Sequence, residues 1–147
     1  MTTPDPAEVR PARGEAEVRA ALDLRREVFV GEQGVPLHEE LDHHDASALH
    51  LVAVRDGDVV GTCRLVAAGD TVKLGRMAVA AAERGRGLAA GLLAEADTQA
   101  AGLGARRIAL ASQLSATGLY ERAGYRAFGE RFLDAGIEHL MMDKRLA

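Results

Sequence analysis

Residues 71–112 run strand, loop, helix, strand, and this order constrains the fold more than any other feature of the chain. TVKLGRMAV (71–79) is strand-like, AAERGRG (81–87) is a loop of glycine and arginine, and RRIALAS (106–112) reads as a buried strand. The helix between them is predicted from about Gly87 to Ala101. Leu88, Leu92, Ala96 and Leu103 form its buried line, and Gly102 and Gly104 end it. Two strands joined in this way lie parallel through a right-handed crossover. The helix then starts beyond the carboxyl end of a strand, where open α/β sheets hold their ligands. Its first turn leaves backbone N–H groups unpaired and carries the positive end of the dipole. Gly85 and Gly87 lack a Cβ and Arg84 and Arg86 add charge, so the segment suits a phosphate, although a solvated turn has the same composition.

The remaining elements are predicted around that unit. A short extended start surrounds Val9. Residues 15 to 30 then set Val18, Ala21, Leu22, Arg25, Val28 and Phe29 at helical spacing, with Gly31 as the stop. HLVAVRDGDVVGTCRLVA (50–67) reads as a hairpin turning at Asp56-Gly57, and the Gly69-Asp70 turn leads into the strand 71–79. Gly75 inside that strand predicts a bulge or a close backbone approach. A short helix from Ala116 to Arg122 stops at Gly124, and strands near YRAF and EHLMMDKRL follow. The expectation is an α/β (α+β) fold with a mixed, mostly antiparallel sheet and one parallel strand pair.

A chain of 147 residues fits one domain, 1–147, with a core from about 7 to 146. With 48% hydrophobic but only 3% aromatic residues, small aliphatic side chains must fill that core. A net charge of -4 and 18 basic residues without a basic block argue against a nucleic-acid partner and for a small-molecule ligand. No apolar segment opens the chain, which points to the cytoplasm and away from a membrane. The single cysteine, Cys63, lies in a strand as a buried filler. His38 and His43 are five apart, not the four of a zinc-binding H-E-x-x-H, so no metal is expected.

Gly85, Gly87 and Ala90 also match a dinucleotide fingerprint, but AAER separates them from the strand and the next strand ends in Ala111-Ser112-Gln113 without an acid. No Gly-Lys-Ser or Gly-Lys-Thr marks a nucleotide P-loop. The whole order of elements resembles the GCN5-related N-acetyltransferase (GNAT) family. The likeness rests on Arg84-Gly85-Arg86-Gly87-Leu88-Ala89, the preceding LGRMAV and the later GLYERAGYRAFG (118–129). LRREVFVGEQGVP (24–36) with ELDHHD (40–45) further resembles a subgroup of small bacterial members.

The resemblance implies the GNAT fold and an acyl-CoA donor, normally acetyl-CoA. The backbone N–H groups from Gly85 to Ala89, Leu88 included, would hold the pyrophosphate beside Arg84 and Arg86. The main chain of Met77, Ala78 and Val79 would line the pantetheine arm. Val79 N–H would face the oxyanion and Tyr120 would supply a proton to sulfur. Gln113 stands where the family often has Asn for a pantetheine contact, with Ser112 and Ser115 as alternatives. The expected reaction is direct transfer to a primary amine in a ternary complex; the base stays open. The alternative is an acyl-CoA-binding sensor or interaction module without turnover. The acceptor is a small-molecule or protein amine, and a homodimer is compatible with the reading. Glu40, Asp42 and Asp45 are expected to draw in a cationic amine. Phe29, Gln33 and His139 mark the other candidate acceptor surface.

Overall fold

The computed structural model describes residues 7–146. Strands β1 (Glu8–Pro11), β2 (Leu49–Arg55), β3 (Asp58–Ala68), β4 (Thr71–Val79), β5 (Arg107–Gln113), β6 (Arg126–Asp134) and β7 (Ile137–Arg145) make one sheet in the order β1-β2-β3-β4-β5-β7-β6. All neighbours pair antiparallel except β4 and β5, which run parallel. The expected mixed sheet is therefore present, with the last strand inserted beside β5. The helices are α1 (Gly14–Arg25), α2 (Leu37–Glu40), α3 (Leu88–Gly102) and α4 (Thr117–Arg122). Asp56 and Gly57 both take positive φ, 52° and 83°, which is the backbone that a tight two-residue hairpin turn demands.

Helix α3 lays Leu88, Leu92, Leu93, Ala96 and Ala100 against Leu51, Ala53, Cys63, Leu65, Val72 and Leu74 of β2, β3 and β4. Each fully buried leucine contributes about 1.5–3 kcal/mol. Leu103, predicted on this buried line, is 56% exposed instead. The helix has ended at Gly102, so Leu103 falls outside its stripe and Ala100 takes the inward position. Cys63 is buried as expected, and desolvation pushes its thiol up to about 12, so it stays an unreactive filler.

On α1 and its continuation, Ala21, Leu24, Arg25 and Val28 are the buried i, i+3, i+4 and i+7 positions, and Leu22 lies on the flank, half-buried. Leu24 and Val28 pack against Ala78 of β4. The helix does not stop at Gly31. It widens into π turns over Arg26–Glu32, and Gly34 at φ 71° supplies the left-handed residue after its end.

The bulge predicted at Gly75 has a specific geometry. Arg64 pairs with Gly75 and Thr62 with Ala78, so two steps along β3 meet three along β4. The positive φ falls on Arg76, at 55°, and not on the glycine beside it. A non-glycine residue there is strained, so its side chain must be held by contacts.

Candidate active site

The parallel pairing of β4 and β5 runs from Thr71↔Arg107 to Leu74↔Leu110 and goes no further. The bulge begins at the next residue of β4, so the two strands diverge there while β5 stays paired with β7 as far as Gln113↔His139. A cavity of about 570 Å³ fills the divergence. Gly75, Arg76 and Met77 line one wall, and Ala109, Ala111 and Gln113 the other. Phe29, Gln33, Tyr120 and His139 also reach it. A wider depression of about 790 Å³ over Asp97 and Lys144 touches none of Met77, Gln113 and Tyr120.

The loop at 83–87 fits an anion by its backbone. Gly85 and Gly87 stand at φ 79° and 82°, and a Cβ on either would meet nothing within 4 Å, so their surroundings are open. Gly91 N–H bonds to Gly87 O at 3.0 Å, which leaves the preceding N–H groups of α3 outside the helical ladder. Arg84 and Arg86 are exposed. Arg84 donates to Val79 O at 3.1 Å and to Glu32 at 2.7 Å, while Arg86 pairs with Glu83 at 3.3 Å. Leu88 is buried by its side chain and Ala89 is half-buried.

At the end of β4, Ala78 is buried while Met77 and Val79 are half-buried. Ala80 N–H donates to Val60 O at 2.9 Å, and Val79 faces Gly61. Antiparallel pairs alternate, so the N–H and C=O of Val79 turn away from β3, toward the side vacated by β5. Tyr120, 7% exposed, packs edge-on against Tyr125 with ring centroids 5.9 Å apart. Desolvation pushes its phenol up to about 12, so it is a proton donor and not a base at neutral pH. Gln113 Nε2 donates to Gln33 Oε1 at 2.8 Å. Ser112 is buried and bonds to the Gln113 carbonyl; Ser115 is exposed.

The acids of ELDHHD do not form an open acidic face. Glu40 is 2% exposed and receives Arg25 Nε at 2.6 Å. Asp42 receives Arg64 at 2.6 and 2.7 Å and Arg76 at 3.3 Å. Asp45 receives Arg25 at 2.7 Å and Arg64 at 2.8 Å. The hydrogen bonds from Arg64 lead in lowering Asp42; for Asp45, burial opposes ionisation but the bonds from Arg25 and Arg64 outweigh it. Three carboxylates set against three guanidinium groups leave little field to attract an amine, which corrects the expected acidic funnel. The arginines were the missed signal. Arg25 falls on an apolar helical stripe and Arg64 in the middle of a buried strand, and charge at such positions requires a partner. Arg76 joins the same cluster and bonds to the carbonyls of Glu40 and Glu39 at 3.0 and 3.2 Å, which holds the strained bulge. Among the described residues no group of three or more His, Cys, Asp or Glu is placed to hold a metal ion. No helix among them is long and apolar enough to cross a membrane.

The family model of the acetyltransferase (GNAT) domain matches residues 11–146. The chain belongs to the GNAT family. Among relatives, it is 36% identical to the uncharacterized N-acetyltransferase YjcF of Bacillus subtilis, over 90% of this chain and 96% of that protein. Among solved structures, this GNAT domain superposes on an acyl-CoA N-acyltransferase from Pseudomonas aeruginosa with TM-score 0.84 and 31% identity, covering 94% and 99% of the two chains. An aminoglycoside 6'-N-acetyltransferase complexed with coenzyme A gives TM-score 0.73 at 15% identity, covering 95% and 97%, and shares the GNAT fold alone. The GNAT chain is an N-acetyltransferase of the kind that takes acetyl from acetyl-CoA.

Proposed function

We propose that the protein transfers acetyl from acetyl-CoA directly to a primary amine, small-molecule or protein-borne, with both substrates bound at once. The observation that carries this reading is the divergence of β4 from β5 after Leu74 and Leu110, which opens a cavity lined by Gly75, Arg76 and Met77 on one side and by Gln113 and Tyr120 on the other. Backbone N–H groups from Gly85 to Ala89, with Leu88 among them, hold the pyrophosphate, aided by the charges of Arg84 and Arg86. Met77 and Val79 offer main-chain partners to the pantetheine arm, while Ala78, whose N–H and C=O face Thr62 of β3, backs them from the core, and Gln113 offers its amide. Phe29, Gln33 and His139 border the amine. Residues 1–147 act as one domain with its core from 7 to 146, and the cytoplasm is the proposed compartment.

The bound thioester supplies an acyl carbon with a leaving sulfur. Val79 N–H, turned away from β3, stabilises the oxyanion that forms on attack. Tyr120 holds a proton for sulfur. A thiolate has a pKa near 8.5, so complete transfer from a phenol at about 12 would run uphill by roughly 5 kcal/mol. Tyr120 therefore acts by donating a hydrogen bond that strengthens as the C–S bond breaks.

The test is free-thiol release from acetyl-CoA in the presence of an amine panel, together with thermal stabilisation by acetyl-CoA. A ligand at a hundred times its dissociation constant adds about 2.7 kcal/mol to stability. Stabilisation without thiol release would favour a sensor; neither effect at millimolar acetyl-CoA removes the reading.

A further inference from the structure

We infer that His139 is the general base that takes the proton from the acceptor ammonium, a role that rests on the acetyl-transfer reading above. His139 Nδ1 lies 2.7 Å from the carbonyl oxygen of Ile137. A carbonyl only accepts, so Nδ1 carries the hydrogen and the lone pair of the neutral ring is on Nε2. Nε2 has no hydrogen-bond partner among the described residues, and His139, 8% exposed as a residue, borders the cavity. Phe132, its cross-strand neighbour on β6, stacks against it with centroids 5.8 Å apart and fixes its plane. Its partner on β5 is Gln113, at the wall of the β4–β5 divergence, so the ring borders the same cavity in which the thioester is proposed to lie.

The other ionisable groups around the cavity are poorer choices. Glu40 is held by Arg25 Nε at 2.6 Å with 1% of its side chain exposed. Arg64, Lys73 and Arg76 would repel an ammonium, and Tyr120 is protonated. Glu39 and Asp134 are exposed, and His44 lies tilted against a second imidazole, that of His43, with ring centroids 4.0 Å apart. In the reaction Nε2 accepts one proton from the ammonium, and the freed nitrogen pair bonds to the acyl carbon while the carbonyl pair moves to oxygen. Collapse returns the oxygen pair to re-form C=O and breaks the C–S bond, sulfur leaves with the bonding pair, and the second amine proton ends on sulfur. His139 returns its proton to water.

Two measurements test this. Nitrogen NMR of the histidine-labelled parent should show His139 hydrogen on Nδ1 and a bare Nε2 at the assay pH; the opposite tautomer, or a hydrogen on both nitrogens, overturns the proposal. His139→Gln should then be compared with the parent on benzylamine, a strong base, and trifluoroethylamine, which is already neutral. Turnover of benzylamine should fall about 100-fold, in the range of general-base catalysis, and that of trifluoroethylamine less than about threefold, with stabilisation by acetyl-CoA unchanged. Equal losses on both amines would make the ring a positioning group and sink the proposal while acetyl transfer stands. A parent that acetylates neither amine removes His139 as their base. If that parent also gains no stability from acetyl-CoA, the acetyl-transfer reading falls with it.

Discussion

Gln33, at the end of the π turns, and Gln113, at the end of β5, are joined by a 2.8 Å hydrogen bond across the mouth of the cavity, although 80 residues separate them in the chain. The contact links the proposed amine side to the proposed pantetheine side. Gln33→Ala should raise the Michaelis constant for the amine about fivefold, equivalent to one ordinary hydrogen bond, and leave that for acetyl-CoA within twofold. Gln113→Ala should do the reverse. Steady-state kinetics with each substrate varied separately checks the split, and identical effects of the two variants would contradict the assignment of sides.

Gly87→Glu places a Cβ at φ 82° and a carboxylate where the phosphates are proposed to lie. The positive φ alone costs about 1–2 kcal/mol, so Gly87→Ala is the control for strain. Acetyl-CoA affinity by calorimetry should fall more than about 100-fold in the glutamate variant and far less in the alanine one, because only the former adds like charge. Equal affinity in both would mean that the loop is only a turn.

Tyr120→Phe should lower the chemical step about 10- to 1000-fold with acetyl-CoA affinity little changed, since a hydrogen bond to the leaving sulfur strengthens only in the transition state. Single-turnover measurement avoids masking by slow product release. Between about pH 10 and 12 the raised phenol also makes the parent less stable as pH rises, because the unfolded chain loses this proton first. The phenylalanine variant should lack that share of the alkaline loss in a thermal melt.

Asp42 and Asp45 ionise more readily in the fold than unfolded, so their contribution is complete above the ordinary carboxylate range near pH 4 and drains away as pH falls through their lowered folded values. Melting temperature should therefore drop on acidification, and Asp45→Asn should flatten that part of the profile. Arg25→Met should cost about 3–5 kcal/mol, because it leaves Glu40 buried without its partner. Adding Glu40→Gln should recover part of the loss. Denaturant unfolding measures both.

Much of the frame was legible in residue order alone. Asp56-Gly57 turned the hairpin, β4, α3 and β5 lie within a few residues of their predicted bounds, and the loop glycines take positive φ. These are local matters, decided by backbone freedom and by apolar periodicity within one element. Resemblance to a family added the candidate roles of Tyr120, Gln113 and Val79, which no spacing rule contains. Tertiary structure decided the rest. Leu103 fits the helical period and is exposed because the helix stops one residue earlier. The strain of the β4 bulge settled on Arg76, where the main-chain carbonyls of α2 receive its guanidinium. The acids of ELDHHD read as a surface that draws in a cationic amine, yet Arg25, Arg64 and Arg76 converge on them from α1, β3 and β4. A carboxylate's charge is visible in a sequence, but its field depends on which distant cations the fold brings within a few ångströms, and that is a property of chain packing.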